Sequence, residues 1–419
     1  MKKITFASIA SLCMVPAAMF WSQDSQAIPA FARKYQTSCY TCHSGFPTRN
    51  AFGEAFRNNG YRWPGGDDEE FTKQEQLKIG TDGWKKVFPE SPWPSDIPNF
   101  GPLAVWVRGN LVNYSEQVNS RTTGKATVQQ TFNYGNGPLG ATSLFFGGTL
   151  GDNLSVLGTY DPTAGLARGH FVWAFQPGLN LSVGNFFSDF NFGNAIGTNN
   201  AVNPQNPVPN GLGTGAELVY TRERMKITAG LTEAGTAGAP TNTNSFDDIR
   251  YVRAKYKFGG AGLLSGAGGT YGNEFVGLDN HIAVGASLVS MKPGVTGLNA
   301  PHLGETLIPS VDVTGNYGDF TGGVAYSKDQ DLGYNNYVIQ TGYFIYPWLK
   351  AAVNYTSLQD GLNPAIASSI TAWLRANASL ALTWTHPTRE FTYTQATNAK
   401  PVAGDTAIDI VTLAVGFAL

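Results

Sequence analysis

Val311-Asp312-Val313-Thr314-Gly315-Asn316-Tyr317 alternates without a break between apolar or small residues and polar ones. A period of two is that of an extended strand with one greasy face and one wet face. Leu380, Leu382 and Trp384 alternate in the same way with Ser379, Ala381 and Thr383, and Val353 and Tyr355 with Asn354 and Thr356. The chain ends on Val411, Leu413, Val415, Phe417 and Leu419. From Pro102 onward this pattern suits lipid outside and a wet or plugged interior. Trp106, Trp348 and Trp373 fall near strand ends, where an interfacial girdle requires aromatics. Alternation alone also fits a soluble β-sandwich. The number of strands, the apolar last strand and an export signal favour a closed transmembrane barrel.

Turn spacing then sets the strand count. Tight connections are expected at Gly151-Asp152, Pro177-Gly178, Arg222-Glu223, Gly259-Gly260, Gly318-Asp319, Pro347-Trp348 and Ala376-Asn377. Short turns belong on the periplasmic side, so seven of them join fourteen strands and the opening and closing strands make sixteen. Both ends of residues 99–419 then lie in the periplasm. The strand-like runs near 126–134 and 280–290 are left to extracellular loops, and counting them gives the alternative of eighteen.

Charged residues make up 14% of the 419 residues, hydrophobic ones 42% and aromatics 12%, with a net charge of -2. That excludes a disordered chain, and it supplies no basic stripe for nucleic acid. Lys2 and Lys3, the apolar stretch Ile4 to Phe20 and the small residues Ser25 and Ala27 read as a signal peptide over 1–27. No later stretch approaches eighteen apolar residues, so a closed barrel is the remaining route into a membrane.

Residues 28–98 differ in texture, with the charged run Asp67-Asp68-Glu69-Glu70 and aromatics at helical spacing. A helix is expected from Pro47 to about Asn59, burying Ala51, Phe52 and Phe56, and a second from about Asp68 to Leu77. Pro92, Pro94 and Pro98 mark the hinge. Within this module lies Cys39-Tyr40-Thr41-Cys42-His43. Thiols two residues apart can each add across a vinyl group of haem, and the following histidine can ligate its iron. A disulfide or a thiol redox pair is the competing reading. Zinc fits poorly, because the next histidine is His170. A porphyrin would also supply apolar surface that some sixty residues lack.

No methionine, and no histidine except His43, lies between Ile28 and Gly101. A protein ligand of either type on the far side of the iron would come from Met225, Met291, His170, His281, His302 or His386; water, an amine or an open site are the other readings. Arg33, Lys34, Arg49 and Arg57 are candidate partners for haem propionates. Asp312, Asp329, Asp331 and Asp360 are oxygen donors that suit a hard cation, with ordinary solvation as the competing reading.

Phe31-Ala32-Arg33-Lys34, the Cys39, Cys42 and His43 motif, Phe46-Pro47, Asn50, Gly53, Phe56 and Asn59-Gly60-Tyr61, followed by a barrel, resemble the fused monohaem cytochrome c-porin family of outer-membrane iron oxidases from iron-oxidising bacteria. The resemblance implies one covalent haem on Cys39 and Cys42 with His43 as axial ligand, held at the periplasmic side or in the lumen. It implies an iron:cytochrome c oxidoreductase that takes electrons from extracellular ferrous iron and passes them to a periplasmic carrier such as a soluble cytochrome c. It assigns no residues to the Fe(II) substrate site. The alternatives are a haem-plugged diffusion porin, a conduit for another donor, or a structural barrel with a disulfide.

Overall fold

The computed structural model describes residues 30–45, 48–65, 68–73, 76–79, 95–98, 103–117, 127–131, 141–150, 153–161, 166–188, 212–233, 245–265, 279–295, 304–357, 365–375, 377–388 and 408–418. The proposed signal peptide, Phe46, Pro47, His302 and Asp360 lie outside them.

The N-terminal part begins with α1 (Ala30–Lys34), a 3-10 turn (Cys39–Thr41) and a two-stranded ribbon of β1 (His43–Gly45) and β2 (Thr48–Arg49). Helix α2 (Ala51–Asn58) follows, capped by Asn50, whose side chain accepts from the Gly53 amide at 2.9 Å. It starts later than the helix expected from Pro47, because Thr48 and Arg49 pair as strand with Gly45 and His43. The second expected helix is also shorter. Helix α3 (Asp68–Phe71) stops after one turn, and β3 (Gln76–Ile79) pairs with β4 (Ser95–Pro98).

The rest is a closed antiparallel barrel. Its wall opens with β5 (Leu103–Gln117) and continues, past the short β6 (Thr127–Thr131), through β7 (Ala141–Leu150), β8 (Leu154–Asp161), β9 (Leu166–Gln176) and β10 (Leu179–Phe187). Next come β11 (Leu212–Thr221), β12 (Met225–Thr232), β13 (Ile249–Phe258), β14 (His281–Met291), β15 (Thr306–Tyr317) and β16 (Phe320–Lys328). It ends with β17 (Asn335–Tyr346), β18 (Leu349–Ser357), β19 (Ala365–Arg375), β20 (Ala378–Pro387) and β21 (Ile408–Ala418). Strand β21 pairs with β5 from Ile408↔Gln117 to Ala418↔Trp106, and β5 pairs with β7 from Leu103↔Phe146 to Arg108↔Ala141. Closure leaves no open edge, so the wall strands satisfy their backbone groups on one another.

Among the described residues β6 pairs with the far half of β5 while β7 pairs with its near half, so the wall is β5 plus β7 to β21, sixteen strands. The count stands, but one assignment within it is corrected. The run near 280–290 is wall strand β14, and Gly259-Gly260 is the start of a longer connection reaching His281. Lys257 Nζ donates to Ala261 O at 2.7 Å and to Asp279 Oδ2 at 2.6 Å, while the Ala261 amide donates to Asp279 Oδ1 at 2.7 Å. These bonds tie both ends of the connection to the foot of β13.

The two faces separate as alternation requires. Val311 is 54% exposed while Asp312 is 5% exposed, and Thr314 is buried between the exposed Val313 and Tyr317. Phe171, Trp173 and Phe175 on β9, Val252, Tyr256 and Phe258 on β13, and Leu382 and Trp384 on β20 extend the outer apolar belt. In water such a surface would aggregate; hydrocarbon solvates it. The lumen side carries paired and hydrogen-bonded polar groups: Arg253 pairs with Asp312 at 2.7 Å, and the Tyr251 hydroxyl donates to Glu217 at 2.6 Å. Exposed Tyr346 and Trp348 stack at 5.6 Å near the tight turn, as a girdle does. Trp373 is not part of it. It shares the lumen parity of Ser369 and Thr371 and is buried, whereas its neighbour Leu374 faces out. Trp106 is half-buried with the Arg108 guanidinium 4.2 Å above its ring.

Candidate functional site

The motif residues sit on a turn braced by the helix that follows. The Ser38 hydroxyl accepts from the Tyr40 amide, and the Cys42 amide donates to Cys39 O at 3.2 Å. Asn50 Nδ2 donates to Tyr40 O at 2.9 Å and Thr41 O at 3.1 Å, and the Asn50 amide donates to Cys42 O at 2.9 Å. One side chain thus caps α2 and fastens the cysteine turn to it. The helix passes so close that a Cβ on Gly53 would lie 2.1 Å from Cys42 O, which only glycine avoids. The motif alone did not reveal these bracing roles of Asn50 and Gly53.

Tyr35, Phe52 and Phe56 form a buried aromatic cluster, with Phe31, Cys42, Tyr61, Trp63 and Phe71 against it. Phe52 meets Trp63 edge-on at 4.8 Å, and Trp63 stacks on Phe71 at 5.1 Å. Cys39 and Cys42 are free thiols. Burial pushes Cys39 up to about 11; burial, with the charge of Cys39 second, pushes Cys42 up to about 12. Thiols held protonated are poor zinc ligands and poor redox nucleophiles. On this turn, Cys39, Cys42 and His43 are the residues that would hold a c-type haem, through the two sulfurs and the imidazole.

This module is a plug seated in one end of the barrel. Arg33 donates to Leu103 O on β5, and Lys34 reaches Thr149 on β7 at 2.8 Å. Arg62 donates to Leu154 O at 3.1 Å, and Ser155 on β8 donates to Gly60 O at 2.7 Å. Asn180 on β10 donates to Asn58 O at 2.7 Å, while Asn58 and Asn59 donate to Leu263 O and Leu264 O, in the long connection after β13, at 2.9 and 3.1 Å. Across the lumen, Gly45 lies against the Trp373 ring. All these wall residues belong to the short-turn end, the periplasmic end of such barrels.

The charged candidates on the plug also pair within it. Lys34 pairs with Asp68, whose carboxylate also accepts from the Tyr35 hydroxyl at 2.6 Å. Arg49 pairs with Glu54 at 2.6 Å. Burial opposes charge on Glu54, but Arg49, then Lys255 and Lys226 of the wall and Arg57 of α2, together hold it down at about 2.

The distal candidates are scattered over the barrel. His170 lies in the lumen beside Phe186 at 5.7 Å and within electrostatic reach of Arg57. His281 Nδ1 is 2.8 Å from Asp279 O, and His281 shares a cavity with Ser44, the residue after His43. Met225 begins β12 near the periplasmic turn, whereas Met291 is buried at the other end among Ile249, Val289 and Ile308. His386 pairs with Asp409 at 2.6 Å, also at the far end. Of the candidate cation ligands, Asp312 is committed to Arg253, and Asp329 accepts from Thr306 at 3.3 Å and from the Leu332 amide at 3.1 Å. Among the described residues, no group of three or more His, Cys, Asp or Glu is placed to hold a metal ion.

No family model matches the chain, and no curated protein matches it. Among solved structures it is similar to the outer-membrane OmpT of Vibrio cholerae (10% identity, TM-score 0.42, 76% of this chain and 97% of that one). It is also similar to an anion-selective porin from Comamonas acidovorans (11%, TM-score 0.44, 76% and 99%) and to Salmonella typhi OmpF (10%, TM-score 0.43, 76% and 97%). A closed barrel with an even number of antiparallel strands, greasy outside and polar within, is the architecture of the bacterial outer membrane, and the chain is an outer-membrane barrel of sixteen strands.

Proposed function

We propose that the protein is a haem-plugged barrel that conducts electrons across the outer membrane, with extracellular ferrous iron as donor and a periplasmic carrier protein such as a soluble cytochrome c as acceptor. The observation that carries the reading is the seat of the plug: Cys39, Cys42 and His43 belong to a module bonded to the wall at the periplasmic mouth. When bound, a haem supplies a one-electron store, which matches ferrous-to-ferric oxidation. The protein's own work is placement. Asn50 and Gly53 hold the cysteine turn, the aromatic cluster excludes water, and the barrel insulates the module from lipid. Ferrous iron as donor rests on the family resemblance.

The second reading is a diffusion porin whose haem module is a plug, favoured by the closed porin-type wall and its polar lumen. Proteoliposomes separate the two. Pyridine haemochrome should first report a thioether haem that Cys39→Ala/Cys42→Ala lacks. Ferrous iron added outside should then reduce the haem faster than unrelated donors of similar potential, and His43→Ala should abolish that advantage. Equal, slow reduction by all donors together with free sugar flux would instead establish the porin, and absence of haem would defeat both.

A further inference from the structure

A partly open cavity lies between plug and wall, and its lining converges on the cysteine turn. Ser44 follows His43 in the chain, Arg49 lies across the β1–β2 ribbon from it, and Asn50 holds the carbonyls of Tyr40 and Thr41; all three line the cavity. Opposed residues of a ribbon have Cβ atoms about 4.5–5.5 Å apart, so His43 is one residue from the cavity along the chain and one across it. From the wall, His281 at the foot of β14 lines the same cavity. Its Nδ1 lies 2.8 Å from Asp279 O. A carbonyl oxygen can only accept, so Nδ1 donates, and the lone pair of the neutral ring is on Nε2. Asp279 is itself held, by Lys257 Nζ at 2.6 Å and the Ala261 amide at 2.7 Å. An imidazole anchored through one nitrogen to a backbone carbonyl, with its lone pair on the other, is the arrangement that orients histidine toward a metal.

The other candidates are less well placed. Met225 shares the outer parity of exposed Ile227 and pairs with exposed Tyr256. His386 stacks at 5.5 Å on exposed Trp384, and Met291 is buried at the far end of the barrel. His170 meets the plug at Arg57, in the last turn of α2, whereas His281 shares its cavity with Asn50 and Ala51 at the start of that helix. Those two ends are about 9 Å apart at 1.5 Å per residue, and the cysteine turn is bonded to the first of them through Asn50.

We propose that His281 is the second axial ligand, through Nε2, of the haem iron that His43 ligates. The assignment rests on the covalent haem proposed above.

The test is spectroscopic and uses the purified, haem-loaded full-length chain. Pyridine haemochrome first counts thioether haem, and its absence overturns this assignment along with the cofactor reading. Near-infrared magnetic circular dichroism of the oxidised wild type should then show a low-spin iron with two imidazoles. A high-spin iron, or histidine paired with methionine or an amine, overturns the ligand while leaving the haem in place. His281→Ala should turn the iron high-spin and admit carbon monoxide to the reduced haem, and added imidazole should restore the low-spin spectrum. His281→Met should remain low-spin with a raised midpoint potential, because a thioether in place of imidazole raises it. His170→Ala should leave the spectrum unchanged; loss of the low-spin state there and not in His281→Ala overturns the assignment. Heat-modifiable migration on gels reports whether each barrel has folded, and His281→Met and His170→Ala decide if His281→Ala has not.

Discussion

Gly45→Ala should loosen the plug while leaving the barrel intact. A Cβ at this position would lie 2.5 Å from Cε2 and Cζ2 of Trp373 and 2.9 Å from Cη2. Carbon atoms in contact sit about 3.5–4.0 Å apart, so the methyl overlaps the indole by roughly an ångström. The ring is poorly placed to yield. It is buried and stacked on Phe344 at 6.0 Å, and its backbone amide donates to Trp348 O at 2.7 Å. Overpacking of this kind costs about 1–3 kcal/mol. Because Gly45 is on the plug and Trp373 on β19, the cost falls on seating, and 1–3 kcal/mol raises the unseated fraction about 5- to 150-fold. Sugar-driven swelling of proteoliposomes reads that fraction. We expect faster swelling for Gly45→Ala and partial recovery in Gly45→Ala/Trp373→Leu, which removes the obstructing ring. Swelling unchanged by Gly45→Ala, or no recovery in the double variant, would refute the wedge.

Two further outcomes follow from the charge and the lipid face. The Glu54 carboxyl is held at about 2 against an ordinary 4.5, first by Arg49 of the plug and then by Lys255 and Lys226 of the wall; the wall's share makes its ionised form favour the seated plug, a contribution present above about pH 4.5 and lost as pH falls through about 2. Swelling should therefore rise between pH 4 and pH 2 in the wild type, whereas Glu54→Gln should swell faster at pH 7 and lose that dependence; equal profiles would sink the argument. On the outer face, Val311→Arg should cost about 2–4 kcal/mol of barrel stability if the residue lies near the bilayer midplane, read as a lower urea midpoint in lipid. An unchanged midpoint would mean that this face does not meet hydrocarbon.

The wall was legible because its signal is local. Val311 and Asp312 differ in burial for the reason visible in the chain, that successive side chains point to opposite faces. Turn spacing then limited the count to sixteen. Where the reading failed, the deciding contact was not local. The run after Asn280 became β14 because Asp279 returns to Lys257 and Ala261, across a connection that resembled a two-residue turn at its first two glycines. Trp373 looked like a girdle residue by position, but strand parity and the Phe344 ring turn it inward.

By itself, the sequence determined the period-two wall and supplied, as expectations, the export signal and the haem motif, since each depends on neighbours a few positions apart. Only the tertiary structure decided that the module is a plug, that Asn58, Asn59 and Gly60 seat it, and that Arg49 and Lys350 share one cavity. Those contacts join residues far apart in the chain, such as Asn58 and Leu263, and a side chain carries no mark of the distant backbone carbonyl it will meet.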